Sequence, residues 1–130
     1  MTVARARALR WAGAVLILLG GSVHLQQWLR IFRHQSIGWT FLANVIVSVI
    51  IGAVLLASDD RRLALAGIVL TAASVVAILI SRSVGLLGFK AVGYGRPELE
   101  ALVLEVLALL VLAASLIPAG AIKDRRADTV

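Results

Sequence analysis

Cysteine is absent from this 130-residue sequence, and charged side chains make up only 15% of it and aromatic side chains only 5%. Without cysteine the chain has no disulfide, no thiolate metal ligand, no c-type haem attachment and no cysteine nucleophile. A soluble domain carries about 25% charged residues, so this composition excludes a soluble globular protein. Hydrophobic residues make up 61%, more than one water-facing core of this size buries. The composition predicts an integral membrane protein.

The charges that are present are mostly basic, with 13 Lys and Arg against 7 Asp and Glu and a net charge of +6. In a soluble protein such an excess suggests nucleic-acid binding, but here the basic residues stand at the ends of apolar runs. They are predicted to contact the head groups of anionic lipids, and no nucleic-acid partner is expected.

Four apolar runs are long enough to cross a bilayer as helices, at 11–29, 37–57, 63–81 and 97–117. The last begins with Pro97, in a first helical turn where the missing N–H costs nothing. Residues 58–62 alone join the second and third runs, so these two form a tight antiparallel hairpin. The sequence predicts an all-α, single-domain bundle of four transmembrane helices with short basic tails.

Lys and Arg are distributed unequally between the two ends of such a bundle. Cytoplasmic segments are enriched in these residues, so both termini are predicted to be cytoplasmic, with the bundle in a bacterial inner membrane. The first run resembles a signal peptide but has no clear cleavage motif, and it is predicted to stay as a span. The termini end carries Arg5, Arg7, Arg10, Arg61, Arg62, Lys123, Arg125 and Arg126, and the outer end carries Arg30, Arg33, Arg82, Lys90 and Arg96.

Each run carries a stripe of small or polar residues at helical spacing. Because lipid provides no hydrophobic force between helices, close packing of small residues and buried polar contacts hold such a bundle together. The polar members fall mostly in the outer half, which predicts a polar pocket open to the outside above a tightly closed cytoplasmic half. Such a pocket does not suit a continuous aqueous channel. Its predicted residues are His24, Gln27, Asn44, Arg82, Glu98 and Glu105.

Glu105 lies about eight residues, roughly 12 Å, inside the fourth run. A carboxylate at a helix centre costs on the order of 3 kcal/mol to insert, so it needs a partner. Two interpretations stay open: a proton or cation site with His24 or Arg82, and a structural interhelical hydrogen bond or ion pair. His24 beside glutamines more often makes a structural hydrogen bond than a metal bond, and the donor residues lack the spacing of a metal motif. No cofactor is predicted, and metal binding stays open.

Two outer connections carry further basic residues. Arg30 and Arg33 lie in the first, and Lys90 and Arg96 lie in or beside the second, which has glycines at 85, 88, 93 and 95. We expect these four side chains to contact lipid head groups or a protein partner. The sequence has neither a nucleophile elbow nor a Walker loop, so enzymatic activity is not expected.

Several of these features form one pattern over nearly the whole chain. They are His24-Leu25 ending the first run, a basic aromatic loop, residues 38–44 opening the second run, S-R-S-V-G-L-L-G-F over 81–89, and a fourth helix centred on Glu105. In this pattern the sequence resembles a group of small, uncharacterised four-span bacterial membrane proteins. The group has no activity to carry over, so the resemblance implies only fold and location.

Three functions remain open at this point. The leading hypothesis is a non-enzymatic accessory or assembly subunit, which engages another membrane protein or lipid through the outer pocket and the basic connections. The alternative is a homo-oligomeric transporter or binding protein for a small molecule or ion, with His24, Asn44 and Glu105 as its site and protonation of Glu105 switching affinity. The third is a metal- or haem-dependent redox helper.

Overall fold

The computed structural model describes residues 2–93 and 95–118, and in these ranges it contains α-helices and no β-strand. The helices are α1, Val3–Gln27; α2, Gly38–Ala57; α3, Arg61–Ser83; and α4, Arg96–Ser115. Consecutive helices run antiparallel, with α1 packed against α2 and α4, and α3 packed against α2 and α4. The predicted all-α bundle is confirmed.

The bundle has two distinct ends. The hairpin end holds the start of α1 and the turn 58–60 between α2 and α3. The loop end holds the segment after α1 and the connection 84–95 between α3 and α4. Because the hairpin turn is so short, α2 and α3 meet at the hairpin end.

Polar side chains and proline determine where the helices begin. The Thr2 hydroxyl accepts a hydrogen bond from the Arg5 amide at 3.3 Å, and the Asp60 carboxylate accepts one from the Arg62 amide at 2.9 Å. Both side chains satisfy amides that have no partner within the first turn of a helix. Pro97 lies in the first turn of α4, as predicted. The α1 helix begins well before residue 11 because the residues that precede its apolar run also favour helix.

The α1 helix continues without a break into a π-helical turn, Trp28–Phe32. The Arg33 amide donates to the Trp28 carbonyl at 2.9 Å, the five-residue step that defines this turn. The prediction that an outer connection begins at Arg30 is therefore wrong for residues 30–32, which are helical. A side chain at Gly38 would collide with the Phe32 carbonyl, so glycine lets α2 begin directly against this turn.

The hairpin half of the bundle is closed by small residues and a few large ones. A Cβ on Gly52 would lie 2.6 Å from Leu18 Cγ, and one on Gly67 would lie 2.7 Å from Leu112 Cδ1. A side chain at either position would therefore displace a leucine of the neighbouring helix. The core cluster consists of Ala14, Ile17, Leu55, Ala64, Ala108 and Leu112. This close packing agrees with the small-residue stripes of the sequence.

Three helical segments are long and apolar enough to cross a membrane: Val3–Phe32, Gly38–Ala57 and Arg61–Ser83. The α4 helix differs because its first half carries Arg96, Glu98, Glu100 and Glu105. The structure thus supports a helical bundle with three such segments where the sequence predicts four spans. The predicted basic tail with Lys123, Arg125 and Arg126 lies outside the described residues.

Candidate functional site

A cavity of about 480 Å³ lies in the loop-end half of the bundle. This volume is within the range of small-molecule sites, about 300–1,000 Å³. Its walls are the end of α1 with the π-helical turn, the first half of α2, the second half of α3, the 84–95 connection and the start of α4. The lining residues are 24, 27, 31, 32, 37, 40, 41, 43, 44, 47, 70, 73, 74, 77, 78, 81, 86, 89, 91, 95, 97, 98 and 101.

The wall of this loop-end cavity is mainly apolar, and three phenylalanines stand out in it. Phe32 and Phe41 stack with ring centroids 4.5 Å apart, and Phe32 meets Phe89 edge-on at 5.1 Å. Aromatic pairs in these arrangements are favourable beyond the area that they bury. Phe32 and Phe89 lie in the two predicted outer connections and Phe41 lies in the second predicted span, and none of the three is among the predicted pocket residues.

A tight turn in the 84–95 connection brings Phe89 to the cavity. Leu86 and Phe89 exchange backbone hydrogen bonds of 2.7 and 2.9 Å, and the two residues between them have positive φ, 49° at Leu87 and 80° at Gly88. Two successive positive φ values define the hairpin turn that suits glycine at its second position. The connection also bonds back to α3, because the Ala91 amide donates to the Ser81 carbonyl at 2.9 Å.

His24 and Glu105 form a buried pair between α1 and α4. The His24 Nε2 atom lies 3.3 Å from Glu105 Oε1, and the two residues are only 6% and 4% exposed. Gly20 lies beside the carboxylate, and a Cβ there would make an ordinary contact with Oε1 at 3.5 Å. Of the two partners that the sequence offers Glu105, the structure selects His24. His24 lines the cavity and Glu105 does not.

Asn44 belongs to a separate network between α2 and α3. Its side-chain amide donates to Ser74 Oγ at 2.6 Å, and its carbonyl oxygen accepts from Ser48 Oγ at 3.0 Å. Ser48 and Ser74 are buried. The network joins the two helices where the cavity begins. Both the nitrogen and the oxygen of the Asn44 side-chain amide are therefore bonded to protein groups.

The other predicted pocket residues, Gln27, Arg82 and Glu98, connect helices and loop at the loop end through hydrogen bonds and an ion pair. The Gln27 side-chain amide donates to the Pro97 carbonyl at 3.4 Å, which joins the end of α1 to the start of α4. Arg82 Nη1 donates to the Gly93 carbonyl at 2.7 Å and lies 3.4 Å from Glu98 Oε1. Gln27 and Glu98 line the cavity, and Arg82 lies behind its wall.

The predicted polar pocket needs one correction. The structure places a cavity in the predicted half, and four of the six predicted residues, His24, Gln27, Asn44 and Glu98, line it. Its lining is nevertheless mainly apolar, because these side chains bond to Glu105, Arg82, Ser48 and Ser74 or to the Pro97 carbonyl. A paired polar group leaves little polar surface for a cavity.

The cavity reaches the surface of the bundle at two places. Ala43 and Val47 on α2 and Ala73 on α3 line it and are exposed, which marks a mouth between these two helices among apolar side chains. Further lining residues are exposed at the loop end, and these are Ile31, Thr40, Gly95 and Pro97.

Most of the residues predicted to contact lipid or a partner lie on the surface of the loop end. Arg30, Arg33 and Lys90 are exposed. Arg96 is also exposed, and its Nε atom donates to Glu100 one turn further along α4 at 2.9 Å. An exposed pair of this kind adds only a few tenths of a kcal/mol to helix stability, about 0.3–0.5.

The hairpin end carries a cluster of two arginines and an aspartate that the sequence does not predict. The carboxylate of Asp59 accepts hydrogen bonds from Arg7 and from Arg10 Nη2, the latter at 2.9 Å. These hydrogen bonds, that of Arg7 first, hold the pKa of Asp59 below its usual value of 3.8. Arg10 is only 5% exposed, so it is a buried partner of Asp59 and not the lipid anchor that its position predicted.

The structure gives no support for metal binding in the part of the chain that it describes. Among residues 2–93 and 95–118, no three His, Asp or Glu side chains lie together as a metal site needs.

The chain has no significant match to protein-family models, to curated proteins or to solved structures.

Proposed function

We propose that this protein is a non-enzymatic integral membrane protein that binds a lipid-soluble small molecule in the loop-end cavity. The observation that carries the proposal is the cavity itself, about 480 Å³ with a mainly apolar wall and a mouth between α2 and α3. The mouth lies among apolar side chains and admits a molecule from the bilayer, and the mainly apolar wall favours a lipid-soluble one. Of the functions left open by the sequence, this favours the binding protein over the accessory subunit, whose partner would need no internal cavity.

The proposal includes four membrane spans with both termini cytoplasmic, in a bacterial inner membrane. The α4 helix lies beside two apolar helices, its Glu105 is paired inside the bundle, and Glu98 and Glu100 stand in its first turns, near the loop end. Val103, Leu107 and Leu110 are exposed on its outer side, as lipid contact requires. Its carboxylates therefore face the protein or the interface, where insertion costs less than at the bilayer centre.

The experiment blocks the mouth of the cavity. Tryptophan at Ala43 or Ala73 fills the opening from α2 or α3, whereas Ala53→Trp adds the same side chain to an exposed site on α2 outside the cavity. Each variant is purified in mild detergent, and bound small molecules are measured by native mass spectrometry and solvent extraction. We expect wild type and Ala53→Trp to retain a molecule that Ala43→Trp and Ala73→Trp lose.

Two results would contradict the proposal. One is equal retention by all four proteins, which would place the molecule elsewhere on the surface. The other is a wild-type protein that carries no small molecule and co-purifies with other membrane proteins in fixed proportion, which would favour the accessory subunit.

A further inference from the structure

Basic residues stand beside the cavity at its loop end. Arg30 and Arg33 lie in the segment after α1, Lys90 lies in the 84–95 connection, and all three are exposed. Each is the immediate chain neighbour of a residue that lines the cavity, and these neighbours are Ile31, Phe32 and Phe89. Two separate segments therefore bring positive charge to the same end of the cavity.

The acidic residues of the loop end do not neutralise these three charges. Glu98 already faces Arg82 at 3.4 Å, and Glu100 accepts from Arg96 at 2.9 Å. Among residues 2–93 and 95–118, none of the three basic side chains forms an ion pair with a carboxylate. The loop end therefore carries an excess of positive charge beside a cavity whose wall is mainly apolar.

The cavity also extends along the bundle away from these charges. Its lining residues on α3 cover 70–81, which is about 16 Å of helix. Thr40 and Ile31 mark the opening at the loop end, whereas Val47 and Ala73 mark the mouth between α2 and α3 about two turns further into the bundle. A molecule that occupies this space has a long apolar part in the cavity and one end among the basic residues.

A lipid with a negative head group has both of these parts. Its hydrocarbon chain suits the apolar wall, and Lys and Arg close to a membrane surface attract anionic lipids. Arginine also binds phosphate oxygens through two parallel hydrogen bonds, so two arginines and a lysine suit a phosphate head group.

We propose that the ligand is an anionic phospholipid, with one acyl chain in the loop-end cavity and its phosphate head group bound by Arg30, Arg33 and Lys90. This inference rests on the proposed function, because it names the class of ligand that the same cavity takes. The head group lies at the loop-end opening, and the mouth between α2 and α3 lets the chain enter from the bilayer.

The first test compares two lipids that differ only in the charge of the head group. Lysophosphatidylglycerol is anionic and lysophosphatidylcholine is zwitterionic, and each is used with one palmitoyl chain. Binding of each lipid to the purified protein in a neutral maltoside detergent is titrated by native mass spectrometry. We expect wild type to prefer the anionic lipid.

The variant for this test replaces Arg30, Arg33 and Lys90 together by Gln. Its preference for the anionic lipid should fall at least fivefold, which is the effect of about one Lys or Arg near an anionic lipid. Binding of the zwitterionic lipid should stay unchanged, which also shows that the cavity is intact. The control replaces Arg5, Arg61 and Arg62 by Gln, which removes the same charge from exposed sites at the hairpin end and should keep the preference.

The second test asks whether the head group and the chain belong to one bound molecule. Ala73→Trp should lower the binding of both lipids, because the chain no longer enters the cavity, whereas Ala53→Trp should not. When Ala73→Trp is combined with the loop-end Gln variant, binding of the anionic lipid should fall no further. Additive losses would mean that the basic residues and the cavity act independently.

Several results would overturn the phospholipid inference and leave the proposed function standing. They are equal affinity of wild type for the two lipids, no binding of either lipid, a loop-end Gln variant that keeps the preference, and additive losses in the combined variant. The proposed function fails by a different result, in which Ala73→Trp binds both lipids as wild type does and loses no co-purified molecule.

Discussion

Two substitutions of Glu105 separate the contribution of the His24–Glu105 hydrogen bond to stability from the effect of the carboxylate charge. Glu105→Gln keeps an oxygen that accepts from His24 Nε2, and Glu105→Met keeps a similar volume with no oxygen. Both substitutions remove the cost of burying a carboxylate. The difference in the free energy of unfolding between the two variants therefore measures the hydrogen bond together with the cost of leaving the His24 nitrogen without a partner.

The magnitude follows from the burial and the distance. His24 and Glu105 are 6% and 4% exposed, so no water replaces the lost partner, and a buried unpaired donor costs about 1–3 kcal/mol. The 3.3 Å distance is long for a hydrogen bond, and interhelical hydrogen bonds in membrane proteins average about 0.6 kcal/mol with a maximum near 1.7. We expect Glu105→Met to be about 1 kcal/mol less stable than Glu105→Gln.

The assay is reversible unfolding of both variants in mixed bicelles by increasing SDS, followed by tryptophan fluorescence. The same two substitutions are then made in a His24→Phe background, where no donor faces position 105. There the difference should disappear. A difference that persists without His24 would refute the pair as its cause, and a Gln variant no more stable than the Met variant would show that the bond contributes nothing.

Three further predictions concern packing, pH and topology. A Cβ on Gly21 would lie 2.9 Å from the Cβ of a buried serine on α2, so Gly21→Val should cost about 1–3 kcal/mol in the same unfolding assay, whereas Ala12→Val on the exposed side of α1 should cost little. The pKa of Asp59 is lower in the folded state than its unfolded value near 3.8. The ionised carboxylate therefore stabilises the fold above that pH, and this stabilisation is lost as the pH falls through the folded pKa. Unfolding of wild type and Asp59→Asn, measured between pH 2 and 6, should show this loss in wild type alone. The chain has no cysteine, so Thr2→Cys and Thr129→Cys report topology directly: four spans predict that a membrane-impermeant maleimide labels both from the same side, and labelling from opposite sides would mean three spans.

The helical bundle was predictable because charge is so scarce in this chain that its positions outline the apolar runs. The helix ends were less accurate. Residues 3–10 continue α1 through three arginines, and arginine is a good helix former, so the first charge does not end a helix. The π-helical turn over 28–32 has no sequence signal of its own, since it changes the hydrogen-bonding step and not the composition.

Depth along the helices was the most informative sequence argument for the site. It placed His24 at the level of Glu105 on an antiparallel neighbour, and the structure joins them. It did not choose between His24 and Arg82, because the sequence places both only in the outer half of the bundle. The structure pairs Arg82 with Glu98, seven residues before Glu105 and two turns nearer the loop end.

The polarity of the cavity could not be predicted from its residues one at a time. A polar side chain contributes polar surface only through atoms that other groups leave unpaired. Asn44 uses its amide nitrogen and oxygen on Ser74 and Ser48, and Glu98 faces Arg82, so neither makes the wall strongly polar. His24 differs because an imidazole has two nitrogens on different sides of one ring, and Glu105 uses one of them. The other nitrogen is buried, so it adds no polar surface either. Pairing and burial together therefore make the cavity mainly apolar although polar residues line it, and both depend on which side chains of the neighbouring helices lie opposite.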